Sequence, residues 1–260
     1  MTSLDPEAAD RATDSPPPPT ASPGAPLPPA GAAFWRFYDE VAAAQLGAWL
    51  PAEPSRVLDL SGDDLRWARQ MVQAGHEVLS VGTGTAPGVL TVRADCNELS
   101  WLADGSVDAV LAEGRALSLC LATEQTAREL FRVLRPGGRL LLVVDSLLTG
   151  LARLADQGRW AELADVPSAD CVLVPHDDGT ISRCFWPEEL AALLIDSGLE
   201  VGWVRARTVL TPAAVERALE QGHGPALATL VRTELALSAG REGEASGMHL
   251  VASARRPDQD

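Results

Sequence analysis

The chain has 260 residues, a hydrophobic fraction of 46% and a formal net charge of −15. Such a chain can bury a sizeable core, and we expect one α/β domain of roughly 200–230 residues plus a tail. The negative charge disfavours nonspecific binding to nucleic acids and to anionic membranes. All 21 basic residues are arginine, which excludes chemistry that requires a lysine, such as a Schiff base or a P-loop.

The four cysteines are scattered without a CxxC pair, and the polar N-terminus does not resemble a signal peptide. Both features are typical of reduced thiols in the cytoplasm. No apolar run approaches the roughly 20 residues that a membrane span needs. Because no His, Cys and Asp side chains show metal-ligand spacing, we also predict no metal site. The protein is therefore expected to be soluble and cytoplasmic.

Two regions of different composition are predicted along the chain. Residues 1–30 form a Pro/Ala-rich tail that cannot bury enough apolar surface to order. Residues 31–256 form the α/β domain, with a less regular insertion at about 147–180. The predicted helices are 34–49, 64–74, 122–134, 147–163, 187–196, 212–221 and 226–238. The predicted strands are 56–60, 76–81, 89–93, 107–112, 139–145, 201–207 and 248–254, with a short strand at 171–174 in the insertion. Strands that alternate with helices in this way indicate a parallel, doubly wound sheet.

Five sequence landmarks occur in a characteristic order. They are VLDL at 57–60, RAD at 93–95, DGSVDAV at 104–110, FRVLRPGGRL at 131–140, and WPEEL at 186–190 followed by SGLEV at 197–201. With these landmarks, residues 34–256 resemble the class I S-adenosylmethionine (SAM) dependent methyltransferases. The resemblance implies a Rossmann-like, doubly wound sheet of seven strands, with the last strand antiparallel. It also places the active site at the carboxyl ends of the strands.

The sequence departs from this family where SAM would bind. The family's first loop reads G-x-G-x-G, whereas here it reads Ser61-Gly62-Asp63-Asp64-Leu65. Two carboxylates near the carboxylate of SAM cost free energy. The acidic residue that holds the ribose in the family is replaced by Gly82. The 13 residues from there to Asp95 are too few for the usual crossover helix, although Asp95, near the adenine site in relatives, remains. We therefore predict that the SAM site is lost or much weakened, with no cofactor.

Asp63 and Asp64 are the candidate catalytic residues. One of them is explained by capping of the helix that follows. Two adjacent carboxylates at the mouth of a ligand pocket can also hold an ammonium, and their repulsion can raise one pKa to give a general base. The loop resembles that of a branch of methyltransferase-fold proteins in azinomycin-type natural-product biosynthesis. In that branch the fold closes an aziridine ring, as an amine displaces a neighbouring sulfate.

Five further residues are predicted to bind the substrate. Tyr38 lies in a segment that covers the pocket in relatives, and Glu113 and Arg115 follow the fourth strand. Arg115 is best placed to stabilise a leaving sulfate, with Arg66 and Arg183 as weaker candidates.

The preferred hypothesis is thus a SAM-independent enzyme of antibiotic biosynthesis that acts on a small-molecule amine. Whether the amine arrives on an amino-group carrier protein, and whether a small companion subunit binds, stay open. The first alternative is a small-molecule methyltransferase with an eroded SAM loop, for which SAM is the cofactor. The second alternative is a catalytically silent partner subunit.

Overall fold

The computed structural model describes residues 31–120, 122–169, 171–220, 226–240 and 247–258. The predicted tail, 1–30, lies outside the described residues. The helices are α1 (Ala32–Trp49), α2 (Arg66–Gln73), α3 (Ala116–Leu119), α4 (Thr123–Val133), α5 (Leu147–Asp156), α6 (Trp160–Asp165), α7 (Pro187–Asp196), α8 (Pro212–Glu220) and α9 (Leu227–Ala239). The strands are β1 (Arg56–Asp59), β2 (Glu77–Val81), β3 (Val89–Val92), β4 (Val107–Ala112), β5 (Leu134–Ser146), β6 (Val172–Pro175), β7 (Ile181–Phe185), β8 (Glu200–Arg207) and β9 (His249–Arg255).

The central sheet is parallel from β3 through β2, β1 and β4 to β5. Beyond β5 lies β9, which is antiparallel to both β5 and β8. Successive residues of the central strands face opposite apolar clusters: Leu58 and Val110 pack on one face, Val57 and Ala109 on the other. Helices cover both faces, as expected for a parallel sheet. This is the predicted Rossmann-like fold with an antiparallel last strand.

The prediction of seven strands is wrong, because the sheet has nine among the described residues. The two additional strands form an antiparallel hairpin: β6 corresponds to the short strand predicted at 171–174 in the insertion, and β7 directly follows the predicted insertion. β7 also pairs in parallel with the last two residues of β5, Asp145 and Ser146. Since β4 stops pairing at Leu142 of β5, the hairpin occupies the strand edge that β4 leaves free.

The insertion also differs from its predicted single helix over 147–163. The structure has two helices there, α5 and α6, with Gly158 between them at φ +67°. Ser146 caps α5, accepting a hydrogen bond from the Thr149 backbone N–H. The α5 helix and the β6–β7 hairpin therefore lie beside the carboxyl end of β5. None of the described helices is long and apolar enough to span a membrane.

Candidate active site

The first strand ends in a buried carboxylate that shapes the loop after it. Asp59 accepts hydrogen bonds from the Ser61 backbone N–H at 3.0 Å and from the Ser80 hydroxyl at 3.1 Å. Ser61 in turn accepts a hydrogen bond from the Glu113 backbone N–H at 3.3 Å. The loops after β1 and β4 are therefore in direct contact at the carboxyl edge of the sheet.

The Asp63 side chain turns away from its own loop towards the loop that follows β2. Its Oδ1 accepts a hydrogen bond from the Thr83 backbone N–H at 2.5 Å. Hydrogen bonds from Thr83 hold the pKa of the Asp63 carboxyl below its ordinary value. The predicted rise in carboxylate pKa from repulsion is therefore not found at Asp63, whose exposed carboxylate is a weak base.

The position of Asp63 explains why the family's ribose-binding acid is missing. A Cβ atom at Gly82 would lie 2.6 Å from Asp63 Oδ1, and one at Gly84 would lie 2.7 Å from the Asp63 carbonyl oxygen. An acidic side chain at position 82 would thus overlap the Asp63 carboxylate and be repelled by its charge. The residues present do not fit a SAM site of the family's usual kind, because Asp63 stands where the loop should be bare.

Restoring the acid at position 82 is therefore expected to destabilise the chain. We expect Gly82→Asp to lower the free energy of unfolding by about 1–3 kcal/mol, from the steric overlap and the repulsion between carboxylates. The double variant Asp63→Gly, Gly82→Asp removes the opposing side chain and is expected to recover the part of the loss due to overlap and repulsion, but not the part due to the backbone at residue 82, whose φ is +155°. Urea unfolding measures the free energy of unfolding of both variants relative to the wild type. If Gly82→Asp alone is as stable as the wild type, this account is wrong.

Asp64 lies next to an arginine shared with the first helix. The Arg66 guanidinium contacts Asp64 Oδ2 at 3.2 Å and Asp39 Oδ1 at 2.6 Å. Asp64 Oδ1 also accepts a 3.3 Å hydrogen bond from the Arg66 backbone N–H, but the N-cap of α2 is Leu65, so the helix capping that the sequence suggested is not found. Burial raises the pKa of the Asp39 carboxyl, an effect that Arg66 opposes and the Asp64 charge reinforces. All three side chains are about one-third exposed, so a ligand can reach them.

Glu113 forms a fully buried ion pair at the end of β4. Both of its oxygens accept hydrogen bonds from Arg207 at 2.7 Å. The Arg207 Nε donates to Gln45 at 2.7 Å, and its Nη1 donates to the Tyr38 hydroxyl at 3.4 Å. Planar, bidentate pairing of this kind is the strongest geometry open to an arginine and a carboxylate.

Tyr38 continues the hydrogen bonds towards β9 and β5. Its hydroxyl lies 3.0 Å from His249 Nδ1 and, while it accepts from Arg207, its proton can be donated to that nitrogen. The proton of His249 then sits on Nε2, which faces Asp145 Oδ1 at 3.3 Å. Burial lowers the pKa of His249, which favours this neutral form. Both carboxylate oxygens of Asp145 also accept hydrogen bonds from Arg115 Nη1, Oδ1 at 3.0 Å and Oδ2 at 3.1 Å.

The structure therefore brings three of the predicted substrate-binding residues into one polar network. We call it the edge network; its members are Gln45, Arg207, Glu113, Tyr38, His249, Asp145 and Arg115. Arg66 lies beside Asp39 and Asp64 instead. Arg183 is outside the network, because it is paired with Glu124 and Glu189 at 2.8 Å each and covers the Phe185 ring. No group of three or more potential metal ligands occurs in the part of the chain that the structure describes.

Sequence reasoning missed several residues of this edge. The predicted site residues include neither His249 nor His176, and both are buried. The predicted antiparallel last strand held the signal for His249, because the first residue of such a strand lies at the carboxyl edge of its parallel neighbours. Arg207 ends β8, which runs the opposite way to β9, and so reaches the same edge. Asp39 and Arg153 carried no comparable signal.

Comparisons with known proteins agree with this fold. A family model described as a methyltransferase domain matches residues 44–142, which include β1 to β4, most of β5, and the loops bearing Asp63, Asp64, Glu113 and Arg115. A search of curated proteins finds no match.

Solved structures with the same fold are distant in sequence. One is the 1,6-didemethyltoxoflavin-N1-methyltransferase of Burkholderia thailandensis, with bound 1,6-didemethyltoxoflavin and S-adenosylhomocysteine (18% identity, 86% of this chain and 81% of that chain, TM-score 0.54). Another is a SAM-dependent methyltransferase of Mesorhizobium loti (19% identity, 84% and 100%, TM-score 0.56). A third is the (4+2)-cyclase SpnF (18% identity, 88% and 82%, TM-score 0.50). The chain thus has the class I methyltransferase fold.

Proposed function

We propose that this methyltransferase-fold chain is an enzyme that closes an aziridine ring by base-assisted intramolecular substitution, rather than transferring a methyl group. The observation that carries the proposal is the Asp63 carboxylate, which is bonded to Thr83 where the family needs bare backbone and a ribose-binding acid. Fold alone does not decide the reaction. That a neighbour with this fold is described as a cyclase supports such a change of chemistry.

The substrate class is a vicinal amino sulfate ester. The amine nitrogen attacks the carbon that bears the sulfate, a C–N bond forms and the C–O bond breaks. Sulfate leaves with the bonding electron pair, and the nitrogen gives its proton to a carboxylate. Both methyl transfer and this ring closure need an aligned nucleophile at carbon, which a rigid sheet edge provides.

The carboxylates at the mouth of the site are assigned to the amine. Asp64 and Asp63 orient the ammonium, as the sequence suggested. Asp39 is the better base, because burial raises its pKa whereas the hydrogen bonds from Thr83 lower that of Asp63. Arg115 stabilises the negative charge that develops on the leaving sulfate, while Tyr38 and Glu113 hold that side of the site in place through Arg207.

The test is sulfate release and ring formation from an amino sulfate ester, measured by ion chromatography and mass spectrometry. We expect Asp39→Asn to lower kcat by about 100-fold or more, the usual contribution of a general base. Asp64→Asn is expected mainly to raise KM, since it weakens binding of the ammonium. Asp196→Asn, an exposed carboxylate on α7, is the matched control and should leave both constants unchanged.

A SAM-dependent methyltransferase with an eroded loop is the second candidate, favoured by the family match over residues 44–142. Calorimetric titration with SAM and S-adenosylhomocysteine separates the two. We expect no binding in the low-micromolar range; tight binding of either compound would reject the proposed function in favour of methyl transfer.

A further inference from the structure

One buried arginine at the carboxyl edge has no hydrogen-bond partner. Arg153, on α5, is 6% exposed, and none of its three guanidinium nitrogens is hydrogen-bonded within the described structure. The nearest opposite charge is Asp145 Oδ2, 3.6 Å from Arg153 Nη1, which is beyond hydrogen-bond distance. A buried guanidinium without acceptors is costly, so this side chain calls for an explanation.

The charges around Arg153 do not balance. Arg115 and Arg153 both face one carboxylate, Asp145, whose oxygens are already contacted by Arg115 at 3.0 and 3.1 Å. His249 adds no negative charge, because an imidazole is either neutral or positively charged. Among the described residues, this buried group of Arg115, Arg153 and Asp145 therefore carries one uncompensated positive charge.

The β6–β7 hairpin places neutral polar groups, not a second carboxylate, beside Asp145 and Arg153. Cys184, which pairs with Asp145 across the β5–β7 register, is a protonated thiol, since burial raises its pKa to about 12. His176 hydrogen-bonds the Ser182 hydroxyl at 2.9 Å. Burial and the charge of Arg153 both lower the pKa of His176, so this imidazole is also neutral. None of these groups supplies the anion that Arg153 lacks.

We propose that Arg153 and Arg115 form an oxyanion-binding subsite at the carboxyl end of β5. The planar guanidinium fork matches the oxygen spacing of a sulfate, phosphate or carboxylate group and adds charge-assisted hydrogen bonds. Arg115, Arg153 and His176 each retain a small exposed fraction, although the guanidinium nitrogens of Arg153 are themselves buried. The subsite itself is inferred from these contacts alone. That its natural oxyanion is the sulfate of the substrate is a further step, which rests on the proposed function.

Inorganic sulfate is the probe for this subsite. The wild-type chain is titrated with sodium sulfate at constant ionic strength, and binding is followed by calorimetry and by the shift in Tm. We expect saturable binding in the wild-type chain and binding at least about tenfold weaker in Arg153→Met, which loses the charged donors. Arg69→Met removes an exposed arginine on α2 and should bind as the wild type does. Parallel titrations with phosphate and acetate show whether the subsite prefers a tetrahedral group or a carboxylate.

The outcomes separate the subsite from the proposed reaction. Absence of saturable binding in the wild-type chain, or equal binding by Arg153→Met, would overturn the subsite even if the chain forms aziridines. Arg153-dependent sulfate binding without aziridine formation would support the subsite and reject the reaction. If Arg153→Met shows no cooperative thermal transition, Arg153→Gln, which keeps polar atoms at this position, replaces it in the same titration.

Discussion

Replacing Arg207 by methionine is expected to lower the free energy of unfolding by about 3–5 kcal/mol, the usual result of breaking a buried ion pair. The Arg207 side chain is fully buried, and that of Glu113 is nearly so. Methionine fills part of the same volume but leaves the Glu113 carboxylate without its cation. It also removes the donors to Gln45 and Tyr38. Urea unfolding at neutral pH measures the difference.

Two variants make this expectation specific. Arg255→Met breaks the 2.6 Å pair with Glu200, which joins β9 to β8 but is half exposed. Such a pair contributes about 0–1 kcal/mol, so this control should change stability little. The double variant Glu113→Gln, Arg207→Met removes both charges and should be more stable than Arg207→Met alone. Equal losses for the buried and the exposed pair would show that burial is not the cause.

The central sheet was predictable because its signals are local. β4 was predicted at its observed bounds, 107–112, since a continuous apolar run between turn residues has few other structures open to it. β5 begins five residues earlier than predicted, at Leu134. Pro136 and two glycines suggested a loop, but Leu134 already pairs with Val107 before a register shift. Tertiary pairing thus extends a strand through residues that locally favour a turn.

The insertion was not predictable to the same extent. β7 is five residues long and includes the polar Ser182 and Arg183, which locally indicate a loop. It is a strand because β6 pairs with it and because β5 has a free edge beyond Leu142. Neither condition can be read from residues 181–185 themselves. The hairpin nevertheless shapes the surroundings of Asp145, since it places Cys184 beside that carboxylate.

The candidate site shows the same division between local and distant information. The Asp63–Asp64 pair and Arg115 stand out because they follow strand ends along the chain. The contacts that give them their roles join positions far apart, such as Glu113 with Arg207, 94 residues later. Charged residues are usually exposed, so hydropathy gives no reason to bury Arg207 or Arg153. Only the three-dimensional structure shows that two arginines share Asp145.

The arrangement of charge along this edge is consistent with the proposed substitution. Two carboxylates that are about one-third exposed, Asp39 and Asp64, lie beside the first loop, where an amine would be held. The buried arginines, Arg115 and Arg153, lie beside β5, where an anionic leaving group would be held. Between them, the edge network links Tyr38, the chain neighbour of Asp39, to Glu113 through Arg207. A ring closure that separates an ammonium proton from a sulfate needs both kinds of site.

Replacing Asp59 by asparagine is expected to stabilise the chain at neutral and alkaline pH. Burial raises the pKa of Asp59 from its ordinary value of 3.8 to about 6. A carboxyl with a higher pKa in the folded chain stabilises it below the unfolded pKa, and this contribution is lost as pH rises through about 6. Above that pH the charged Asp59 costs about 3 kcal/mol relative to a neutral group. Asparagine is neutral, can still accept from the Ser61 N–H, and offers an amide to the Ser80 hydroxyl.

The pH dependence distinguishes this effect from a change in packing. Urea unfolding between pH 4 and pH 8 should show Asp59→Asn gaining up to about 3 kcal/mol over the wild type above pH 6. The gain should fall below about 1 kcal/mol near pH 4, where the wild-type carboxyl is protonated in the folded chain and roughly half protonated in the unfolded chain. Asp196→Asn, which changes an exposed carboxylate, should show no such trend. A difference between Asp59→Asn and the wild type that is constant across this range would mean that folding does not raise the pKa of Asp59.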